Sequence, residues 1–291
     1  PQDSVAIGYR ALQMINDGDR NVAIGAYAGK SIVDGAENIA IGKSALLELT
    51  SGGGNIAIGQ SAMSSADGGE GNNIAIGIQA MNLTNDDAAD HNIAMGYQAG
   101  KALAGNNNIA LGQTAMNNAS NAADGVVAIG KFAAQGAMTS GADGTVAIGQ
   151  QALQSLTSGT KNVAIGLTAG DSITTMGETT LVGYSAGGAL TSGTGQNVAI
   201  GSEALSSATS VQYTTAVGYK ALQGISAAAA DDNQTTGIGY AAGYNITTGI
   251  RNTAIGAQAL LDNQTANDNT AVGQLALENT TGAENTAIGR M

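Results

Sequence analysis

One phrase is written 17 times along 291 residues: a polar residue, then Val, Ile or Thr, Ala, Ile, Gly, two variable residues and Ala, as in Asn21-Val22-Ala23-Ile24-Gly25-Ala26-Tyr27-Ala28. A unit this short cannot bury an apolar face alone, so such a chain must stack its repeats into a solenoid or roll. The anchoring glycines run from Gly8 to Gly289, and their sixteen intervals average about 17.6 residues, the longest being the 21 from Gly218 to Gly239. Extra residues fall in one part of the repeat, which places that part in a loop. Residues 1–291 are expected to form a single repetitive β-roll domain.

In each copy the residues three and one before the glycine share a face under strand periodicity, as with Val22 and Ile24 or Val163 and Ile165. β-Branched enrichment with alternation argues for a strand. The other face carries the Ala two before the anchoring glycine and the glycine itself, the Ala giving way only at Leu181 and Gly237. The branched face is expected inside, leaving the small-residue face for close approach by another backbone. Three residues after the glycine stands Ala in 16 of 16 copies that have a following repeat, which marks a steric requirement. The next position is mostly Leu or Met but is Gly29, Gly100, Gly170, Gly187 and Gly243 in five copies, and each of these has a large aliphatic three residues on, at Ile32, Leu103, Ile173, Leu190 and Ile246. Such exchange is volume compensation in a close-packed interior, and it predicts a second short strand facing the first.

A coil of 17 residues at ~3.3 Å each has a perimeter of ~56 Å, and 17 coils stacked at ~4.8 Å would make a rod of ~80 Å. Asn opens the phrase in 11 copies, including Asn21, Asn38, Asn55 and Asn252, and is expected to stack as an amide ladder along one corner. The fold class is therefore all-β, a parallel β-roll or β-solenoid of about 17 coils with a repeat of 17–18 residues.

The interior must be thin: 44 Gly, one Phe and no Trp leave few large side chains to fill it. Ordering about 17 residues per coil for some three buried aliphatics comes out near balance for a lone roll, so further burial between chains is expected. A net charge of −12 with only 10 Lys and Arg argues against nucleic acid as a partner. No apolar stretch approaches the ~18 residues of a membrane span, so no membrane insertion by this segment is expected. Without Cys there is no disulfide framework, which leaves the compartment open.

Phrases such as Asn-Thr-Ala-Ile-Gly-Ala-Gln-Ala-Leu at 252–260 and Asn-Thr-Ala-Val-Gly-Gln-Leu-Ala-Leu at 269–277 resemble the head repeats of trimeric autotransporter adhesins, and similar repeats occur in bacteriophage tail-fibre proteins. The resemblance covers essentially the whole chain. It implies a left-handed homotrimeric fibre with an adhesive or receptor-contacting role, hence an extracellular setting. The repeat departs from the adhesin pattern in being longer, and neither a coiled-coil stalk nor an anchor barrel is present, which favours a virion tail-fibre shaft or receptor-reaching domain over a bacterial cell-surface adhesin head. Implied partners are further copies of the chain, other fibre or baseplate proteins, and a host cell-surface glycan or protein. A remoter alternative is an ice-binding β-solenoid, disfavoured because Thr enters the phrase mainly from Thr180 onward at a position assigned to the interior.

No catalytic constellation is present. The sole histidine, His91, follows Asp86, Asp87 and Asp90 in a long loop without the ligand spacing of a metal site, so no metal, cofactor or enzymatic role is expected. Glycine patterns such as Gly237-Ile238-Gly239 lack a Walker lysine and are repeat punctuation. Tyr9, Tyr97, Tyr184, Tyr219 and Tyr240 directly follow the anchoring glycine, a position shared with Gln, Lys and Ser and therefore exposed. The candidate surface contacts are Asp86, Asp87, Asp90, His91, Tyr97, Tyr184, Tyr219, Asp231, Asp232 and Tyr240. The first four and the Asp231-Asp232 pair lie in the two longest candidate loops, where contacts with a neighbour are most easily acquired.

Overall fold

In a computed structural model, the described residues are 3–84, 89–118, 122–226 and 233–290. They form 17 three-residue strands and no α-helix, with one turn of 3₁₀-helix at Ser140–Ala142. The chain divides into two compact units, Pro1–Gly144 and Thr145–Met291. The first carries strands β1 (Val5–Ile7) to β8 (Val127–Ile129), and the second carries β9 (Val146–Ile148) to β17 (Thr286–Ile288). Within each unit successive strands pair in parallel and in register, as in Val22↔Ile39, Ala23↔Ala40 and Ile24↔Ile41. Each unit is thus a parallel β-solenoid with one coil per repeat.

The anchoring glycine ends each strand with φ between 129° and 142°, a region that essentially only glycine enters. Space imposes a second requirement. A Cβ on Gly8 would lie 2.6 Å from the carbonyl oxygen of Gly25, and one on Gly25 would lie 2.7 Å from that of Gly42. Coils therefore touch backbone to backbone along this column.

The wall opposite the strand is not a second strand. It is a turn in which the second and fourth residues after the glycine adopt left-handed backbone, for example Ser44 (φ 59°) and Leu46 (φ 48°). The second residue donates its N–H back to the preceding coil (Tyr27 to Tyr9, 2.8 Å), while the fourth donates forward (Leu46 to Ala62, 3.0 Å). Alternating the backbone hand lets one short turn bond both neighbouring coils. Five coils place glycine at the fourth position with φ between 54° and 62°, where it carries no left-handed penalty.

The two faces of the strand are reversed from the sequence expectation. Ala23, Ala57, Ala94, Ala164 and Ala254 are fully buried, whereas Ile24, Ile165, Ile200 and Ile255 are 37–40% exposed. The coil is too narrow to hold branched residues from the strand once Leu or Met from the turn has entered it. The interior is thus Ala from the strand, Ala and Leu or Met from the turn, and the aliphatic three residues further on.

Volume compensation holds in atomic detail. A Cβ on Gly29 would meet Ile32 Cδ1 at 3.0 Å, and one on Gly100 would meet Leu103 Cδ1 at 2.7 Å. The exchange also runs between coils. Leu181, where other strands have Ala or Gly, sends its methyls to within 2.6 Å of where a Gly170 Cβ would be and 2.8 Å of where a Gly187 Cβ would be. At Gly237 the reverse occurs: Leu222 Cγ lies 2.7 Å from the position a Cβ would take.

The asparagine column is real, and most of its bonds run to backbone. Asn21 Nδ2 donates to the Gly35 carbonyl at 2.8 Å, while its Oδ1 accepts the Asn38 backbone N–H at 2.9 Å. Asn38 repeats the pattern with Gly52 and Asn55. Each amide, buried at 0% exposure, satisfies the turn of its neighbour and the strand entry of the next coil.

The cavity logic gives a direct test. Ile32 is fully buried beside a glycine, whereas Ile15 is only half-buried and follows Leu12. Ile32→Ala is expected to cost about 2–5 kcal/mol in denaturant unfolding and Ile15→Ala clearly less; equal losses would refute the pairing.

Candidate functional site

The anchoring glycines of consecutive coils superpose, so the tyrosines that follow them can meet. Two pairs of aromatic rings do. In the first unit Tyr9 and Tyr27 pack edge to face at 5.3 Å, with the Arg10 guanidinium 5.1 Å from the Tyr9 ring centre. In the second, Tyr219 and Tyr240 stack at 5.7 Å with their planes 19° apart. The latter pair is 43% and 56% exposed and borders an open cleft of about 320 Å³.

Every residue of this cleft comes from the turn wall of three successive coils. Tyr219 and Lys220 follow Gly218, Tyr240 and Ala241 follow Gly239, and Gln258 follows Gly256. Tyr244, Asn245 and Leu261 close it from further along their turns. Coil stacking fixes the spacing, since Ala241 N–H donates to Tyr219 O at 2.9 Å and Gln258 N–H donates to Tyr240 O at 2.8 Å. The Lys220 ammonium lies 3.6 Å from Glu203. A hydrogen bond to the Tyr219 side chain holds its pKa above the ordinary lysine value, with Glu203 adding to that. Asn245 Nδ2 donates to Asp262 Oδ1, and the Gln258 side-chain amide makes no hydrogen bond among the described residues.

The other candidate contacts are dispersed. Tyr97 and Tyr184 are exposed on coils of different units, each without an aromatic partner among the described residues. Asp90 sits within the stack: its Oδ1 accepts the Gly71 N–H at 2.7 Å, and its own N–H donates to Asn106 Oδ1 at 2.7 Å. His91 is exposed, in left-handed backbone at φ 59°, with its N–H bonded to Gly71 O at 3.2 Å. Asp86, Asp87, Asp231 and Asp232 lie outside the described residues. Among the described residues no group of three or more His, Cys, Asp or Glu is placed to hold a metal ion, and no helix is long and apolar enough to cross a membrane.

Along the chain the five tyrosines that follow an anchoring glycine are widely spaced and mark no patch. The signal that joins Tyr219 to Tyr240 was the coil register itself: consecutive copies of one position are neighbours in space. Tyr244, Asn245 and Leu261 stand at no repeated aromatic or polar position, so no periodic signal marked them. No protein-family model matches the chain, and no curated protein matches it either.

Glu70 is the one fully buried ionisable residue among those described, and it belongs to the scaffold. Its carboxylate accepts the N–H groups of Asp67 and Gly68 at 3.3 and 3.0 Å. Burial pushes its carboxyl above the ordinary value, against these N–H groups, which lower it. With the folded-state pKa above the unfolded one, the folded chain holds this proton more tightly. Glu70 therefore makes stability fall as pH rises from the ordinary glutamate value through the raised one. Melting of wild type between about pH 4 and about pH 7 is expected to show a downward component that Glu70→Gln lacks; identical pH profiles would remove Glu70 as its source.

Proposed function

We propose that this chain is a structural and adhesive fibre segment that assembles with copies of itself, as a tail-fibre shaft or receptor-reaching domain of a virion. The observation that carries this reading is the outward strand face. In the first unit Ile24, Ile41, Ile58, Ile76, Met95, Leu111 and Ile129 form one unbroken apolar rank beside a second of Val and Ile. The second unit has its own apolar rank from Ile148 to Ile288, beside a second rank that is mostly Thr. A contiguous apolar stripe of this extent calls for a covering surface.

A second copy of the chain is the occupant that fits. The stripe repeats at every coil, so a partner must present complementary groups at the same period to cover it throughout, and an identical solenoid does so. Closed association about an axis is the usual way for identical chains to bury a shared face, and the repeat resemblance supplies the number three. The thin interior supports the same conclusion, since each coil buries few large side chains of its own. The Ala face, which the sequence alone pointed to as the contact surface, is occupied by the roll's interior. A bacterial surface adhesin head built from the same trimer is the alternative, and labelling intact phage particles and bacterial cells with antibody to this chain separates the two.

A second reading gains one observation. Thr215, Thr236, Thr253 and Thr270 lie in register on the outward, half-exposed face, which removes the ground for dismissing an ice-binding solenoid. Each strand offers one Thr beside a Val or Ile, and the first unit has none in this rank. Thermal hysteresis at freezing tests it directly.

In light scattering the chain is expected to run at about three times its 28.5 kDa mass. Replacing Ile165 and Ile200 with Asp together should abolish that species, either by releasing single chains or by loss of folding. A stable folded single chain of wild-type sequence, or an intact trimer in the double variant, would overturn the assembly.

A further inference from the structure

The cleft at Tyr219, Tyr240 and Tyr244 has a chemistry that a passive shaft does not call for, and we propose that it binds the pyranose rings of a neutral glycan. A pyranose ring presents an apolar C–H face and a rim of hydroxyls. Tyrosine matches both, since its ring face meets the C–H groups and its hydroxyl joins the polar rim. Here two such rings are stacked 5.7 Å apart on backbone pinned by coil-to-coil hydrogen bonds, so little freedom is lost on binding. The unengaged Gln258 amide offers both a donor and an acceptor to sugar hydroxyls, and Asn245 stands beside it. The volume of about 320 Å³ lies at the lower end of ligand sites, and its open form suits an internal stretch of a longer chain of sugars.

Charge selects a neutral ligand. Lys220 is the only cation lining the cleft among the described residues, and it is engaged by Glu203 at 3.6 Å and by Tyr219. Asp262, bonded to Asn245, adds a second carboxylate nearby, and the whole chain carries −12. Sialylated or phosphorylated sugars would meet net negative potential. A peptide is the poorer fit because the aliphatic liners are only Leu261 and the largely buried Ala241, which form no hole for an apolar anchor residue.

The site gives the adhesive half of the proposed function its ligand class, yet it is tested separately from assembly. The assembled full chain, wild type and variants, is applied to an array of neutral and acidic glycans, while light scattering follows mass. Binding to neutral glycans that falls by about tenfold in Tyr240→Ala and falls in Gln258→Ala, at unchanged mass and with Tyr97→Ala behaving as wild type, is the expected result. Three outcomes would overturn the proposal: no neutral glycan retained; acidic glycans preferred, with binding lost in Lys220→Ala; or loss of assembly mass in Tyr240→Ala, which would make the cleft a contact between subunits. A wild type that binds neutral glycans without forming a trimer would sink the fibre reading and leave the site standing.

Discussion

The contact on which each solenoid unit depends is the column of anchoring glycines, where the backbone of one coil rests on the carbonyl of the next with no room for a side chain. This contact fixes the register of successive coils at the end of every strand. From there, in-register strand pairing, the alternating turn bonds and the asparagine column all follow, because each needs equivalent residues of neighbouring coils to be superposed. Insertions can then occur only where the chain leaves this frame, between the turn and the next strand. The conformational demand at the same glycine, φ near 135°, and the steric demand coincide, so no other residue satisfies either.

So narrow a coil redistributes the roles of residue types. Alanine, usually a filler, becomes the principal inward residue of the strand, and the β-branched residues that make the segment a strand are turned outward. The roll consequently places its best hydrophobic groups on its surface, where an apolar stripe calls for a cover. In the proposed fibre, stability of the fold and assembly would be the same property seen at two levels, since the face that stiffens each strand is the one left outward.

The period, the strands, the asparagine column and the exchange between Gly29 and Ile32 were all legible in the sequence, because each repeats in register and repetition reveals what stacking requires. Which side of the strand faces inward was not. Alternation separates two faces without naming the inner one, and in a coil this narrow the branched face lies outside. The invariance of Ala at the middle of the strand was the better guide, since a position that tolerates only one small side chain is one that is walled on every side. Among the described residues the expected second strand is absent for a related reason: short apolar spacing fits extended backbone and a tight turn alike, and Ser44 and Leu46 turn the far wall by adopting the left-handed region. Of the candidate site, Tyr219 and Tyr240 were named from sequence, but their neighbours Tyr244, Gln258 and Leu261 occupy unremarkable positions whose convergence only the coil geometry brings about.

Leu181 gives the solenoid a grammar. Its side chain occupies space left vacant by Gly170 in the preceding coil and by Gly187 in its own, so these two coils fit only in that order. Gly237, Leu222 and Gly243 are bound together in the same way. Elsewhere a coil meets its neighbour through nearly identical surfaces, and unequal recombination could duplicate or delete one without disturbing the stack. Solenoid length is therefore adjustable in whole coils at most joints, while these interlocked blocks must be inherited intact, as words must be when a sentence is lengthened by repeating its clauses.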